Sequence, residues 1–447
     1  MYNIAIIGGG PGGYTAAERA AHAGLTVVIF EKSEWGGVCL NEGCIPTKTL
    51  LYSAKLLENA KSSSKYGLNI EGISVDYSKV VARKNKVIRK LNAGIRAKMK
   101  HDNITTVNGV AEITNYTKNQ IDISCNGEIY SAQNLIISTG SHNFTPPIKG
   151  LLPENIWTST EALQTKELPS SMAIIGGGVI GMEFAGLFNS MGVQVTVIEM
   201  MDEILGNMDK EISATLRQEY TNKGITFHLQ SKVLELNGNE LIFEKDGTHH
   251  SISTEKILLS VGRKPNIDGF GMDKLGIELF KGGIQVNEFM QASQPNVYAI
   301  GDVTGFSMLA HTAVREAEVA VNHLSKVSDK MSYSAIPGVV YTYPEVAGVG
   351  ETEESLSAKN IPYKIMKLPL TFSGRFVAEN EAGNGLCKII SSIDGNILGV
   401  HIIGNPSSEL ITIATLAIEQ QLTVAQWQKS VFPHPTVGEI IKETLFS

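Results

Sequence analysis

Two cysteines, Cys39 and Cys44, stand in the segment Gly36-Gly37-Val38-Cys39-Leu40-Asn41-Glu42-Gly43-Cys44-Ile45-Pro46-Thr47-Lys48 of a chain that has 4 cysteines in all. Three chemistries use so close a pair. Zinc needs four ligands, usually as two pairs, and no second Cys or His pair lies at a suitable spacing, so no metal is expected. A structural disulfide stays open, although so short a loop constrains the unfolded chain little. A redox couple fits better. It needs one accessible sulfur for thiol–disulfide exchange and a second held as thiolate beside an electron acceptor. Cys44 lies beside a predicted helix start, whose N-terminus favours a thiolate, so it suits the second role and Cys39 the first. Lys48 falls one helical turn beyond Cys44 on the same face, where the plain alternative is a surface lysine. Cys125 and Cys387 stand alone and are expected as buried structural thiols.

A redox pair has to be positioned against carriers of electrons, and the chain holds two candidate sites for them. The strand-like run at 4–7 leads into GGGPGG (8–13) and a helix-like stretch, and MAII (172–175) leads into GGGVIG (176–181) and another. Gly8, Gly10 and Gly13 fit G-x-G-x-x-G, as do Gly176, Gly178 and Gly181. The first glycine permits a tight turn, the second lets the backbone approach a pyrophosphate, and the third packs helix on strand. A lone match is weak, and an ordinary glycine turn explains many. Here each match is followed by a β-rich run ending in an acid, Glu31 or Glu199, and each acid stands 18 residues after the last glycine. The repeat of one βαβ unit is more specific than either copy. Each acid can accept hydrogen bonds from an adenosine ribose. Glu199, Asp202 and Glu203 would repel a 2′-phosphate, and no arginine lies within 193–206, so NAD rather than NADP is expected there. Two dinucleotides on one chain imply an electron relay.

The remaining sequence bounds this reading. At 447 residues the chain exceeds one compact core, and about three domains is a fair prior. A net charge of −7 argues against nucleic acid as a partner. No run of apolar residues is long enough to span a membrane. No targeting segment is expected at the N-terminus, so the cytoplasm is the expected compartment, with the mitochondrial matrix or a plastid compatible if a transit peptide were removed. Residues 77–100 read as one basic amphipathic helix, most simply a solvated face. Residues 104–137 alternate apolar and polar and suggest a small antiparallel sheet. The domains are placed at 1–143, 144–261, 262–330 and 331–447. The fold class is α/β: two Rossmann-like dinucleotide-binding domains plus an α+β C-terminal domain. Near the end, His434 sits between Pro433 and Pro435, which bias its backbone away from helix, with Glu439 close enough to orient the imidazole. Such a pair could act as general base toward a thiol, whereas a lone histidine is more often structural.

Taken together, these residues resemble the flavin disulfide reductases, the pyridine nucleotide-disulfide oxidoreductases of the glutathione reductase type. The resemblance covers essentially the whole chain. It rests on GGGPGG with Glu31, GGVCLNEGCIPTK, STGS (138–141), IIGGGVIGMEFA, VIEM, VGRKPN (261–266), AIGD (299–302), LAHTA (309–313) and FPHPTVGE (432–439). It implies that Gly8, Gly10, Gly13, Glu31, Lys48, Gly140 and Asp302 hold FAD, with Asp302 on the ribityl chain. It implies that Gly176, Gly178, Gly181, Glu183, Glu199 and Gly262 hold NAD. The C-terminal domain would form a homodimer and deliver His434 and Glu439 to the other subunit's Cys39 and Cys44. The implied activity is oxidation of protein-bound dihydrolipoamide with NAD, and the implied partners are the lipoyl domains of 2-oxo acid dehydrogenase or glycine cleavage complexes. A glutathione reductase-like enzyme acting on another small disulfide is the nearest alternative, though it would want an NADP site. Relatives with a second redox pair near the C-terminus are disfavoured, because Cys387 is single, and transhydrogenases of this fold lack the first cysteine. A flavoprotein kept as a scaffold would have no use for Cys39, Cys44, His434 and Glu439. Val38 stands where the family often has threonine, and Phe432 and Pro433 stand where small residues are common; both bear on access only.

Overall fold

The computed structural model describes residues 1–152, 156–381 and 383–447, and the chain divides into two compact units. Unit 1 comprises Met1–Thr49, Lys79–Phe144 and Gly262–Ser332; unit 2 comprises Leu50–Ser78, Thr145–Val261 and Tyr333–Ser447.

In unit 1, β1 (Tyr2–Ile7), α1 (Pro11–His22) and β2 (Val27–Glu31) make the first βαβ arm. The two-cysteine segment follows as two helices, α2 (Gly37–Glu42) and α3 (Cys44–Lys61), the latter continuing past Thr49 into unit 2, and the basic stretch forms α4 (Tyr77–Lys98). Next come β3 (Ile104–Asn108), β4 (Glu112–Tyr116), β5 (Ile121–Cys125), β6 (Glu128–Ile137) and the short β7 (Ser141–Asn143). One sheet takes the order β3-β2-β1-β6-β5-β4, and Val297–Ala299 also pairs with β6. The small antiparallel sheet expected over 104–137 is therefore not a separate one. β3 joins β2 in parallel, and the end of β6 runs parallel to β1. The reason is composition: Leu135, Ile136 and Ile137 are fully buried, and a strand buried on both faces belongs in a parallel core. Only β4, β5 and the first half of β6 keep antiparallel pairing. Cys125 is buried in this core.

Unit 2 repeats the arm. After α5 (Ser159–Gln164), β8 (Ser171–Ile175), α6 (Val179–Ser190) and β9 (Gln194–Ile198) take the places of β1, α1 and β2. With α7 (Lys210–Asn222), β10 (Thr226–His228) and the later strand Lys256–Leu259, they build a parallel sheet of order β10-β9-β8-(Lys256–Leu259). A three-stranded meander over 231–253 covers it. The C-terminal part is a five-stranded antiparallel sheet between Gly338 and Ile403, on which the helix Ser407–Glu419 lies. Cys387 is buried in its core, and burial pushes its thiol up to about 12.

A buried ion cluster fastens the two parts of unit 2. Asp209 caps α7 by accepting from Glu211 N and Ile212 N at 3.1 and 3.2 Å, and its carboxylate also accepts from Lys388 Nζ at 3.0 Å. Both side chains are 1% exposed. Burial opposes the lysine's charge, but Glu211, Glu353 and Asp209 outweigh it and raise the pKa of Lys388. Removing one partner of such a pair strands the other. Lys388→Met is therefore expected to destabilise unit 2 by about 3–5 kcal/mol, read from chemical denaturation. A loss below about 1 kcal/mol would contradict this account of the cluster.

Candidate functional site

The local chain explains why Cys39 and Cys44 face each other. Gly36 has φ +95° and Gly37 φ +58°, a left-handed pair that turns the strand-end loop into α2. Gly43 ends α2, with φ −146° and ψ −108°, and Cys44 begins α3. Pro46 is tolerated there because a first-turn residue needs no intrahelical N–H. Cys39 in one helix thus meets Cys44 at the start of the next as a disulfide, with Cα atoms 4.7 Å apart. With the sulfurs bonded to each other, neither zinc nor two independent thiols describes them. Both are half-buried, and Lys48 lies one turn along α3, also half-buried.

The redox turn is anchored on the first fingerprint. Gly36 N donates to Gly9 O at 2.9 Å, and a Cβ on Gly37 would stand 2.8 Å from Gly10 Cα. Asn41 Nδ2 donates to Trp35 O at 3.1 Å and Gly37 O at 2.9 Å, while Asn92 of α4 donates to Trp35 O at 2.8 Å. Gly36, Gly37, Asn41 and Asn92 were not singled out from sequence. The adjacent glycines were the available signal; the asparagines had none, since their partners are carbonyls that only the fold brings near.

The two fingerprints are built alike. Gly8 and Gly176 take φ +109° and +104°. A Cβ on Gly13 would stand 1.8 Å from Gly8 O, and one on Gly181 2.1 Å from Gly176 O, so protein packing alone demands glycine at the third position. The second position differs. Gly10 has only Gly37 Cα at 3.9 Å, and Gly178 has no neighbour within 4 Å. Nothing among the described residues forbids a side chain at either position, so glycine is not demanded there by protein packing. Gly10 and Gly178 are also the N-caps of α1 and α6, with no side-chain cap and no acid in either first turn. Uncapped helix N-termini opening on free space fit a pyrophosphate. Glu31 accepts from Gly9 N at 2.8 Å and Ser33 N at 2.7 Å; Glu199 accepts from Gly177 N at 2.6 Å and Met201 N at 2.7 Å. Each carboxylate is oriented by the backbone and keeps lone pairs for ribose hydroxyls. Glu183 is buried, and its Oε1 accepts from Tyr341 N at 3.0 Å.

Around Glu199 the fold brings up cations that the window 193–206 does not contain. Lys210 pairs with Asp202 at 2.6 Å, and Arg217 grips Glu203 from Nε at 2.8 Å and Nη2 at 2.9 Å. Two of the three acids are thereby neutralised, and both cations are engaged. In unit 1, Gly140 O accepts from Asn266 N at 2.9 Å, and Gly262 O accepts from Phe144 N at 3.0 Å. Asp302, in the turn Gly301–Thr304, accepts from Ser141 Oγ, which accepts in turn from Arg263 Nε at 2.7 Å. Arg263 and Ser141 lie in motifs already noted, yet only Gly262, Gly140 and Asp302 were picked from those stretches. His434 Nδ1 lies 3.0 Å from Glu439 Oε1, and Glu439 Oε2 accepts from Thr436 N at 2.8 Å. The histidine side chain is 80% exposed. The Thr436 amide first, and then His434, hold the Glu439 carboxyl below its usual range. Giving Nδ1–H to the carboxylate selects the tautomer whose Nε2 carries the ring's lone pair. Among the described residues, no group of three or more His, Cys, Asp or Glu could hold a metal ion, and no helix is long and apolar enough to cross a membrane.

A redox disulfide set against one of two dinucleotide folds defines a disulfide oxidoreductase working with nucleotide cofactors. Known proteins agree. Residues 2–317 match the pyridine nucleotide-disulphide oxidoreductase family, and residues 336–445 match that family's dimerisation domain. The chain is 37% identical over 449 residues to a dihydrolipoyl dehydrogenase of Chlamydia muridarum, covering 99% of this chain and 96% of that protein. A dihydrolipoyl dehydrogenase of Thermus scotoductus is 38% identical over 452 residues, with the same coverage. Among solved structures, the HOCl-induced flavoprotein disulfide reductase RclA of Escherichia coli superposes with a TM-score of 0.86 at 26% identity, covering 100% of this chain and 99% of that one. The chain belongs to the pyridine nucleotide-disulphide oxidoreductase family, and its cofactors are FAD and NAD.

Two outcomes follow. Gly178→Ala should cost the apoprotein about 1 kcal/mol or less, as a cap change does, while raising the NAD dissociation constant at least about tenfold, the expected result of a Cβ in the open space before α6. Gly181→Ala should instead lower stability by about 1–3 kcal/mol. Thermal melts and NAD titrations separate the two, and equal stability losses would refute the ligand reading of Gly178. Glu439 has a folded pKa below its unfolded value near 4.5, so its contribution is complete above that value and is lost as pH falls through the folded one. A carbon-13 titration of its carboxyl should have its midpoint below 4.5.

Proposed function

We propose that the protein is a dihydrolipoamide dehydrogenase: it oxidises protein-bound dihydrolipoamide through Cys39–Cys44 and FAD and reduces NAD+. The observation that carries this reading is the Cys39–Cys44 disulfide anchored on the first nucleotide fingerprint, supported by the curated relatives that bear that name. FAD would be held by Gly8, Gly10, Gly13, Glu31, Lys48, Gly140 and Asp302, and NAD by Gly176, Gly178, Gly181, Glu183, Glu199 and Gly262. Segments 1–143 and 262–330 would form the FAD-binding and central domain, 144–261 the NAD-binding domain and 331–447 the dimerisation domain. The chain would act as a homodimer whose substrate is carried on lipoyl domains. The cytoplasm is proposed as its compartment because the relatives named are bacterial.

His434 Nε2, with Nδ1 tied to Glu439, takes a proton from a substrate thiol. The thiolate attacks Cys39 Sγ, the Cys39–Cys44 bond breaks, and Cys44 leaves as thiolate. The second substrate thiol then attacks the substrate sulfur of the mixed disulfide, releasing lipoamide and Cys39 as thiol. Two electrons have passed to the cysteine pair. Bound FAD would supply the two-electron carrier between the Cys44 thiolate and NAD+. Cys44, at the N-terminus of α3, has the dipole that favours its thiolate. The exposure of His434 fits delivery to Cys39 of a second copy, which is why the dimer is proposed as the active unit.

His434→Ala should lower kcat for dihydrolipoamide-dependent NAD+ reduction by about 10²- to 10⁴-fold, the worth of a placed general base. Cys39→Ser should abolish turnover while leaving Cys44 able to form a long-wavelength charge-transfer band under anaerobic conditions. Near-native turnover in either variant removes the assigned role. Equal rates with NAD+ and NADP+ would count against the NAD assignment.

A further inference from the structure

Three separate stretches, STGS, VGRKPN and AIGD, are joined in unit 1 by one line of hydrogen bonds. Arg263 Nε donates to Ser141 Oγ at 2.7 Å, and Ser141 Oγ donates to Asp302 Oδ2 at 2.5 Å. The guanidinium is itself fixed, since Nη2 donates to Ser141 O and Nη1 to Asn143 Oδ1, each at 2.7 Å. Its strand is locked to β7 by backbone pairing, with Arg263 opposite Asn143 and Pro265 opposite Ser141. Asn266 adds a second clasp, its Nδ2 donating to Thr139 O at 2.9 Å while Thr139 Oγ1 donates to Asn266 O at 2.7 Å.

The direction of this line follows from donor count. A guanidinium can only donate, a carboxylate can only accept, and a serine hydroxyl has one proton. With Arg263 on a lone pair of Oγ, that proton goes to Asp302, and the cation polarises the O–H and strengthens the bond. Ser141 is 4% exposed, so water offers its hydroxyl no alternative. Burial lowers the pKa of Arg263, while Asp302 and Glu42 support its charge. Asp302 is left with Oδ2 engaged and with no hydrogen-bond partner for Oδ1 among the described residues.

We propose that Arg263 is a positioning residue which, through Ser141, fixes the Asp302 carboxylate with Oδ1 presented to a hydroxyl of the flavin's ribityl chain. This rests on the assignment of Asp302 to FAD. The relay accounts for a residue pattern that neither fingerprint explains: a cation in one motif and a hydroxyl in another, both spent on orienting a carboxylate in a third. Arginine does this better than a lysine could, because its fork bonds the serine's hydroxyl and carbonyl together.

The test is the rate at which FAD leaves the holoenzyme, followed as the rise in free-flavin fluorescence, with Asp302→Ala setting the scale. Arg263→Met and Ser141→Ala should each speed release by about 10- to 100-fold, the worth of a charge-assisted hydrogen bond. The double variant should release FAD no faster than the faster single one, because both changes break the same line. Arg263→Lys should recover part of the loss. Additive effects of the two changes would show that Arg263 merely stabilises the β7 ribbon and would overturn the proposal. So would native release in Arg263→Met alongside fast release in Asp302→Ala. Native release in Asp302→Ala would instead remove Asp302 from the flavin site, and the relay with it. If Arg263→Met does not fold, Ser141→Ala decides: native release in that variant is equally fatal.

Discussion

The amide of Gly9 donates to Glu31, and the amide of Gly177 donates to Glu199, each across 22 positions of chain. This bond holds the glycine loop against the end of the second strand, and the following helix has neither a side-chain cap nor an acid in its first turn. An uncapped N-terminus with unsatisfied N–H groups is costly unless an anion or water meets it. Both arms of the protein are built in the same way, with glycine at an open second position and glycine where the helix must touch the strand. The rest of unit 1 is arranged on the first of these loops.

The redox pair depends on that arrangement directly. Gly36 donates to Gly9, and Gly37 packs on Gly10, so the turn that launches α2 is defined by the first glycine loop itself. Cys39 and Cys44 then need no long-range contact to find each other, only the helix break at Gly43. The sulfur pair and the glycine fingerprint share one backbone junction. A change in the fingerprint would therefore be felt at the disulfide as well.

Unit 2 shows how the same arm is adapted. Its strand-end acid is surrounded by two further acids, yet Lys210 and Arg217 of α7 pair with Asp202 and Glu203. The uncompensated negative charge at this strand end thus falls mainly on Glu199. The same helix is capped by Asp209, whose second bond to the buried Lys388 ties it to the C-terminal sheet. That sheet carries the chain on to His434 and Glu439, a pair held by local bonds within a few residues of each other.

Much of the candidate site was legible because its signals are local. Cys39 with Cys44, the two glycine fingerprints, the acids 18 residues beyond them and His434 with Glu439 are all patterns of short spacing. Short spacing fixes geometry through turn and helix constraints alone. The two buried lone cysteines were legible for another reason, since neither has a second cysteine near it in the chain. The tertiary structure alone decided the rest. It placed β3 and the end of β6 in the parallel sheet, brought Arg217 to Glu203, buried Lys388 on Asp209 and strung Arg263, Ser141 and Asp302 into one line. Each of these joins polar groups, or strands, that are far apart in the chain. The energy of such a contact depends on burial and on competing partners, which no window of sequence contains.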